Sequence, residues 1–143
     1  MYLHTLASGS TGNCLLFSHN GQHLLLDAGI SCRRITTALR ALDMEPQSLL
    51  GVCVTHEHTD HVSGLATLTK QYGLPVLTSP GTGRQLCYRI AAMEDLLSPL
   101  SPGGVTDLGP FHIAAFPISH DAAQPMGFTV SAEGRTAAVV TDL

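Results

Sequence analysis

The segment from His56 to His61 constrains the fold of this 143-residue chain more than any other feature of its sequence. It has the sequence His-Glu-His-Thr-Asp-His and follows an apolar run at 52–55, which predicts a buried strand that ends at the histidines. Apolar residues then recur at helical spacing as far as Tyr72, and Gly73 follows them, which predicts a helix. The fold must therefore leave a histidine-rich loop open at the carboxyl end of a buried strand.

This loop has the composition of a metal site. Along an extended segment, His56, His58 and Asp60 point to the same side. Imidazole nitrogens and carboxylate oxygens suit zinc, and also manganese or iron. His61 opens the predicted helix and faces a neighbouring position, which allows a second ion about 3.5–4 Å from the first. The alternative, a set of solvated loop histidines, fits poorly with such regular alternation in a hydrophobic frame.

Two later residues lie at the ends of predicted strands and fit the same centre. His120 follows a strand at 111–118, where it can supply a third nitrogen ligand, and Asp142 follows the apolar run 138–140. Both residue types are also common in turns, so an ordinary turn role stays open for each. The other four histidines stand alone, and we expect them to be structural or exposed: His4, His19, His23 and His112.

Composition limits the classes of function. Hydrophobic residues make up 44% of the chain and charged residues 13%, which is enough apolar material for a core. The formal charge of −4, without any run of like charges, excludes a broad basic surface for nucleic acid, although metal ions can still attract a phosphate. Four scattered cysteines predict buried free thiols. With no signal-like start and no membrane-length apolar run, we expect a soluble, cytoplasmic protein.

Strand and helix patterns alternate along the chain. Asn20-Gly21 is a hairpin signal between two apolar runs, and Ser31 and Ser79 are typical helix N-caps. The predicted strands cover 2–7, 14–18, 23–27, 52–55, 74–77, 111–118, 126–131 and 136–141, and the predicted helices cover 31–42, 62–72 and about 80–93. The segment 98–104 is predicted to be a turn. This pattern favours an α/β (α+β) fold with helices packed on a mixed sheet.

The histidine cluster, His120 and Asp142 together resemble the metallo-β-lactamase fold hydrolases. Four ordered segments are similar to the YycJ/WalJ-like branch of that family: Ser8-Gly-Ser-Thr-Gly-Asn-Cys14, Leu26-Asp-Ala-Gly-Ile-Ser31, Thr55-His-Glu-His-Thr-Asp-His61 and Ile118-Ser-His-Asp-Ala122. The resemblance implies an αββα sandwich with a two-metal site at the edge between the sheets. It also implies phosphodiester hydrolysis of nucleic acid, of exonuclease type, by a metal-bound hydroxide.

The resemblance also assigns roles to individual residues. It places His56, His58 and His120 on the first ion. The second ion takes Asp60 and His61, Asp142 bridges the two, and Asp27 supports the histidine loop by hydrogen bonds. Ser10 and Asn13 are expected at the substrate mouth, with an ordinary glycine-rich turn as the alternative for their loop. Asp60 would orient the nucleophile, and Asp121 is the candidate that protonates the leaving group.

In that family a second, similar half adds another metal ligand, and residues 1–143 correspond to little more than the N-terminal half. We therefore expect a domain cut off after the sixth metal-ligand position, with an incomplete second site and a homodimer formed through the exposed sheet. Two other functions stay open. One is a thioester or lactam hydrolase of the same fold, and the other is an inactive metal-binding fragment.

Overall fold

Among residues 1–141, six strands form the first sheet, in the order β1-β2-β3-β4-β5-β6. The structure, a computed structural model, describes residues 1–141. The strands are β1 (Tyr2–Ala7), β2 (Cys14–His19), β3 (Gln22–Leu26), β4 (Leu49–Cys53), β5 (Val76–Thr78) and β6 (Leu97–Pro99). The first three are antiparallel, and β3 to β6 pair in parallel. The predicted Asn20-Gly21 turn joins β2 and β3, and both of its residues have positive φ, 50° and 75°.

The helices pack on one face of this sheet. They are α1 (Cys32–Ala41), α2 (Thr59–Val62), α3 (Leu65–Tyr72) and α4 (Pro80–Arg89), with short 3₁₀ turns at Pro46–Ser48 and Met93–Asp95. Ser31 and Ser79 cap α1 and α4 as predicted, because each side-chain oxygen accepts from a backbone N–H in the first turn. Ile35 of α1, Leu65 of α3 and Leu86 of α4 pack in the same core as Leu25 and Val52 of the sheet.

In the described part of the chain, four antiparallel strands form the second sheet, in the order β10-β9-β8-β7. They are β7 (Val105–Leu108), β8 (Phe111–Pro117), β9 (Met126–Ala132) and β10 (Arg135–Val139). Alternate residues of β8 and β9, such as Phe111 and Phe128, are fully buried against Phe17, Leu24 and Leu26 on the inner face of the first sheet. Period-two alternation in both sheets thus builds the second core.

The described chain therefore has three layers: helices, first sheet and second sheet. The carboxyl ends of the parallel strands β3, β4 and β5 lie at the same end of the first sheet. The loop that follows β8 reaches this end as well. The predicted histidine cluster lies there. Among residues 1–141 no helix has the length and apolar character needed to cross a membrane.

The structure corrects the predicted elements in several places, and one of them is the helix predicted over about 80–93, which ends at Arg89 because Ile90 has an extended backbone (φ −124°, ψ 115°). Residues 59–72 form two helices, α2 and α3, in place of the single helix predicted over 62–72. The break follows from Gly64, which donates its N–H to the Ala28 carbonyl at 2.9 Å and where a Cβ would lie 1.9 Å from the Ile30 carbonyl oxygen. Strand β4 ends at Cys53, because Thr55 gives its N–H to a side chain at 2.8 Å. The predicted turn at 98–104 contains the end of β6, and neither β6 nor β7 was predicted.

Candidate metal centre

Three imidazoles from two loops meet at the end of the first sheet where the carboxyl ends of its parallel strands lie. His56 and His58 follow β4, and His120 lies in the loop between β8 and β9. One ligand atom from each ring lies within 4.8 Å of the other two. The His120 Nε2 and His58 Nδ1 atoms are 3.2 Å apart, and the ring centroids of His56 and His120 are 4.7 Å apart. The structure thus brings together the three residues that the family resemblance assigned to the first ion.

This arrangement fits a divalent metal ion. Imidazole nitrogens bind zinc at about 2.0–2.1 Å, which places the nitrogens of a tetrahedral site roughly 3.4 Å from one another. The His120 Nε2 and His58 Nδ1 atoms, 3.2 Å apart, are already near that separation, and the His56 ligand atom lies within 4.8 Å of both His58 and His120 ligand atoms. His56 is fully buried, and its two neighbours are half-buried, so the site has a protected side and an open side. His56, His58 and His120 could hold one ion and leave a position for a water or substrate oxygen.

Asp60 and His61 form a neighbouring polar position. The Asp60 carboxylate lies 3.5 Å from His61 Nε2. The Asn13 side-chain amide nitrogen lies 3.3 Å from the same Nε2 and 3.4 Å from the Asp60 carboxylate. The ring centroids of His61 and His56 are 4.1 Å apart, so this position adjoins the three-histidine site.

Asp27 lies beneath both positions and is almost fully buried. Its carboxylate accepts the Thr55 N–H and hydroxyl, each at 2.8 Å, and contacts His61 Nδ1 at 2.6 Å. Burial raises the pKa of Asp27, and the hydrogen bonds from His61 and Thr55 oppose that rise. Asp27 also has a positive φ of 63°, a strained conformation for a residue with a side chain. The hydrogen-bonded surroundings hold it there.

These bonds set the orientation of two rings. His61 directs Nδ1 to Asp27, which leaves Nε2 facing Asp60 and Asn13. The Thr55 hydroxyl donates to Asp27 and lies 2.9 Å from His56 Nδ1, so it can accept that N–H. This arrangement places Nδ1 of both rings to donate, to Asp27 from His61 and to Thr55 from His56, and it leaves Nε2 of both rings facing the cluster.

Backbone contacts hold the histidine loop against the first strands. Asn13 donates its N–H to the Asp60 carbonyl at 2.8 Å, and Ala28 donates to the His61 carbonyl at 2.9 Å. A Cβ at Gly29 would lie 1.8 Å from the Asp60 carbonyl oxygen, so this approach requires glycine. Gly29, in the segment Leu26–Ser31, thus provides a close-packing surface for the histidine loop.

The other predicted residues are placed less closely. Ser10 and Asp121 are exposed, and within residues 1–141 the structure shows no side-chain hydrogen bond from either residue to the cluster. Asp142 lies outside the described residues. Sequence reasoning also missed Thr55 and Glu57, which flank the first histidine and make side-chain hydrogen bonds at the site. Their only sequence signal is adjacency to the cluster, which does not distinguish them from solvated neighbours.

Comparison with known proteins shows the family of the chain. Residues 7–143 match the Metallo-beta-lactamase superfamily. The chain is 34% identical over 143 residues to the exodeoxyribonuclease YycJ of Bacillus anthracis, which covers 99% of this chain and 54% of that protein. It is 29% identical over 140 residues to the exodeoxyribonuclease WalJ of Streptococcus pneumoniae serotype 2, covering 96% of this chain and 52% of that protein. The chain thus spans about half the length of the curated relatives it matches.

Solved structures share the fold. A B3 metallo-β-lactamase with an active-site glutamic acid superposes with a TM-score of 0.79 at 20% identity, over 96% of this chain and 57% of that one. The Rm3 metallo-β-lactamase gives a TM-score of 0.77 at 21% identity, over 95% of this chain and 56% of that one. The predicted fold is therefore confirmed. The chain belongs to the metallo-β-lactamase superfamily, within its YycJ/WalJ-like branch.

Proposed function

We propose that this chain carries the metal-binding half of a phosphodiesterase that cleaves nucleic acid from its ends. The observation that carries the proposal is the convergence of His56, His58 and His120 beside the Asp60–His61 pair. Similarity to YycJ and WalJ, both named exodeoxyribonucleases, supports the choice of DNA as substrate. Ribonuclease Z of Bradyrhizobium sp. is 31% identical over 133 residues, and its name also denotes a nuclease.

The three histidines would hold one divalent ion, and Asp60 with His61 would hold a second, with Asp142 as the proposed bridge. When bound, such ions neutralise charge on the phosphate and lower the pKa of a coordinated water. This neutralisation matters here because the formal charge of the chain is −4 and would repel a polyanion.

The side chains of the chain supply orientation and proton transfer. The Asp60 carboxylate would orient the attacking water and take its proton. Asp121, exposed beside His120, would return a proton to the leaving oxygen. Ser10 and Asn13 would line the approach of the substrate, and Asn13 already contacts both members of the Asp60–His61 pair.

The test is cleavage of labelled DNA and RNA by the full chain, reconstituted with zinc or manganese. We expect metal-dependent release of nucleotides from the ends, and a loss of about 100-fold or more in Asp60→Asn, the scale expected for a proton-transfer group. Asp43→Asn, at an exposed position away from the site, is the matched control and should keep full activity.

Other outcomes would overturn the proposal. A chain that binds metal and cleaves neither nucleic acid is the inactive metal-binding fragment. Hydrolysis of a chromogenic lactam or a thioester without nuclease activity would place the chain with the other hydrolases of the fold. Full activity in Asp60→Asn would remove Asp60 from its proposed role.

We also propose that the chain self-associates through its second sheet. Strand β10 lies at the edge of that sheet within residues 1–141, and exposed edges pair readily with other chains. Sedimentation at micromolar concentration tests this, and a monomer there would exclude it.

A further inference from the structure

The loop that carries His120 is tied directly to the loop that carries the other two histidines. The Glu57 carboxylate accepts the Ala123 N–H, with oxygen–nitrogen distances of 3.0 and 3.3 Å. Glu57 lies between His56 and His58 in the sequence, and Ala123 lies three residues after His120. This contact therefore joins the two ligand-bearing segments beside the ligands themselves.

Helix α4 holds the same loop at its other side, through Gln124. The Gln124 carbonyl accepts the Ser79 hydroxyl at 2.7 Å and the Thr82 hydroxyl at 3.3 Å. The Gln124 side-chain oxygen accepts the Gly81 N–H at 2.8 Å. All three donors belong to the N-cap and first turn of α4, so this end of the helix fixes the position of Gln124.

The opposite end of α4 contacts the histidine loop. The Arg89 guanidinium, on the last residue of the helix, donates to the Glu57 carbonyl oxygen. Ten helical residues span about 15 Å and form a stiff connection. One end of α4 is thus bonded to the His120 loop and the other to the histidine loop, and Glu57 joins the two loops directly.

We propose that Glu57 is a positioning residue that holds His120 in register with His56 and His58, with α4 as its brace. The Glu57 carboxylate is engaged with a backbone amide, so its role is separate from that of a metal ligand. The inference rests on the proposed function only in that the three histidines hold an ion, and it is independent of the substrate.

The physical basis is preorganisation. His120 is separated from His58 by 62 residues, so the site needs a long-range constraint to keep the third nitrogen near the other two. A ligand set already held in place binds metal more tightly than one that must be ordered on binding. Groups that orient metal ligands typically change affinity by about 10–100-fold when they are removed.

The test measures metal affinity without any substrate. Glu57→Ala, Glu57→Gln and the control Glu94→Ala are compared by zinc competition against a chromophoric chelator, for the first equivalent bound. Glu94 is an exposed glutamate without a side-chain hydrogen bond among residues 1–141. Glutamine keeps one carbonyl oxygen that can accept the Ala123 N–H, whereas alanine keeps none.

We expect Glu57→Ala to bind zinc about 10-fold or more weakly, Glu57→Gln to recover most of the affinity and Glu94→Ala to match the unsubstituted chain. The thermal midpoint of metal-free Glu57→Ala should stay near that of the control, and amide exchange at Ala123 should be faster. Cobalt absorption gives a second readout, because a shifted visible band reports a changed ligand field.

Unchanged zinc affinity in Glu57→Ala would overturn the inference, and so would an equal loss in Glu57→Gln. If Glu57→Ala is too unstable to purify, Glu57→Gln and Gln124→Ala keep the inference testable, since weaker zinc binding by Gln124→Ala is also expected. Loss of nuclease activity with normal zinc binding would bear on the proposed function and leave Glu57 without its positioning role.

Discussion

Replacement of Asp27 by alanine should be among the most destabilising single changes in this chain, even without metal. Alanine removes the acceptor for the Thr55 N–H, the Thr55 hydroxyl and His61 Nδ1. The hydroxyl can rotate to another acceptor, but the other two donors stay buried in place. Each buried donor left without its partner costs about 1–3 kcal/mol.

The backbone adds a second cost. Asp27 has a φ of 63°, and alanine tolerates that region less well than aspartate, by about 1 kcal/mol. The substitution also removes a buried carboxyl group that is costly to keep ionised, since burial raises its pKa. This gain offsets part of the loss in stability. We therefore expect the free energy of unfolding of Asp27→Ala to fall by about 3–5 kcal/mol. Asp27→Asn keeps one acceptor and should lose about 1–2 kcal/mol.

Asp43 provides a matched control for the backbone cost. It has a similar φ of 57°, is exposed, and has no side-chain hydrogen bond among residues 1–141. Asp43→Ala should therefore lose only about 1 kcal/mol. The difference between the two alanine variants isolates the buried hydrogen bonds.

The assay is urea unfolding in EDTA, followed by far-UV circular dichroism because the chain has no tryptophan. An Asp27→Ala variant within about 1 kcal/mol of Asp43→Ala would refute the reasoning. Where Asp27→Ala does not fold, the asparagine variant decides, and stability equal to that of the unsubstituted chain would refute it as well.

Three further predictions follow from burial and close packing. Because burial raises the pKa of the Cys53 thiol and Cys87 is partly exposed, a thiol reagent should modify Cys87 in the native protein and Cys53 only after unfolding. Burial, and then the nearby His4, lower the pKa of His23 in the folded chain below the ordinary value of 6.5. The folded chain therefore binds a proton at His23 less readily than the unfolded chain, and it is most stable above pH 6.5, where His23 is neutral in both. This stability should be lost as pH falls below about 6.5, with a smaller loss in His23→Gln when urea midpoints are compared at pH 7.5 and 5.5. Gly29→Ala places a methyl group 1.8 Å from a backbone carbonyl oxygen of the histidine loop, and calorimetry should show a thermal midpoint lower by 5 °C or more, by the rough scaling for a domain of this size. An unchanged midpoint would mean that the loop can move aside.

Most of the fold follows from local pattern. Strand alternation, the Asn20-Gly21 turn and the serine caps predicted most elements, because each depends on residues close in sequence. The structure differs where a distant partner decides the conformation. Gly64 ends α2 because its N–H bonds the Ala28 carbonyl, and β6, with the sequence Leu-Ser-Pro, has no apolar run to indicate a strand.

The candidate site also has residues that the sequence pattern indicates and contacts that it does not. His56, His58 and Asp60 are recognisable from their spacing, and His120 from its position after a strand. The contacts of Glu57 with Ala123 and of Asn13 with the Asp60–His61 pair are not, because each joins residues at least 47 positions apart. The positive φ of Asp27 also depends on tertiary hydrogen bonds and leaves no local signal.

The long sequence separations at the cluster have a kinetic consequence. Asp27 and His61 are 34 residues apart, Asn13 and His61 are 48 apart, and His58 and His120 are 62 apart. Contacts of this kind form after local hairpins and helices, because each requires closure of a long loop. We therefore expect the cluster to assemble late in folding. An ion that binds only the assembled cluster would then act mainly by slowing unfolding, so metal loading should lengthen the lifetime of the native state more than it speeds its formation.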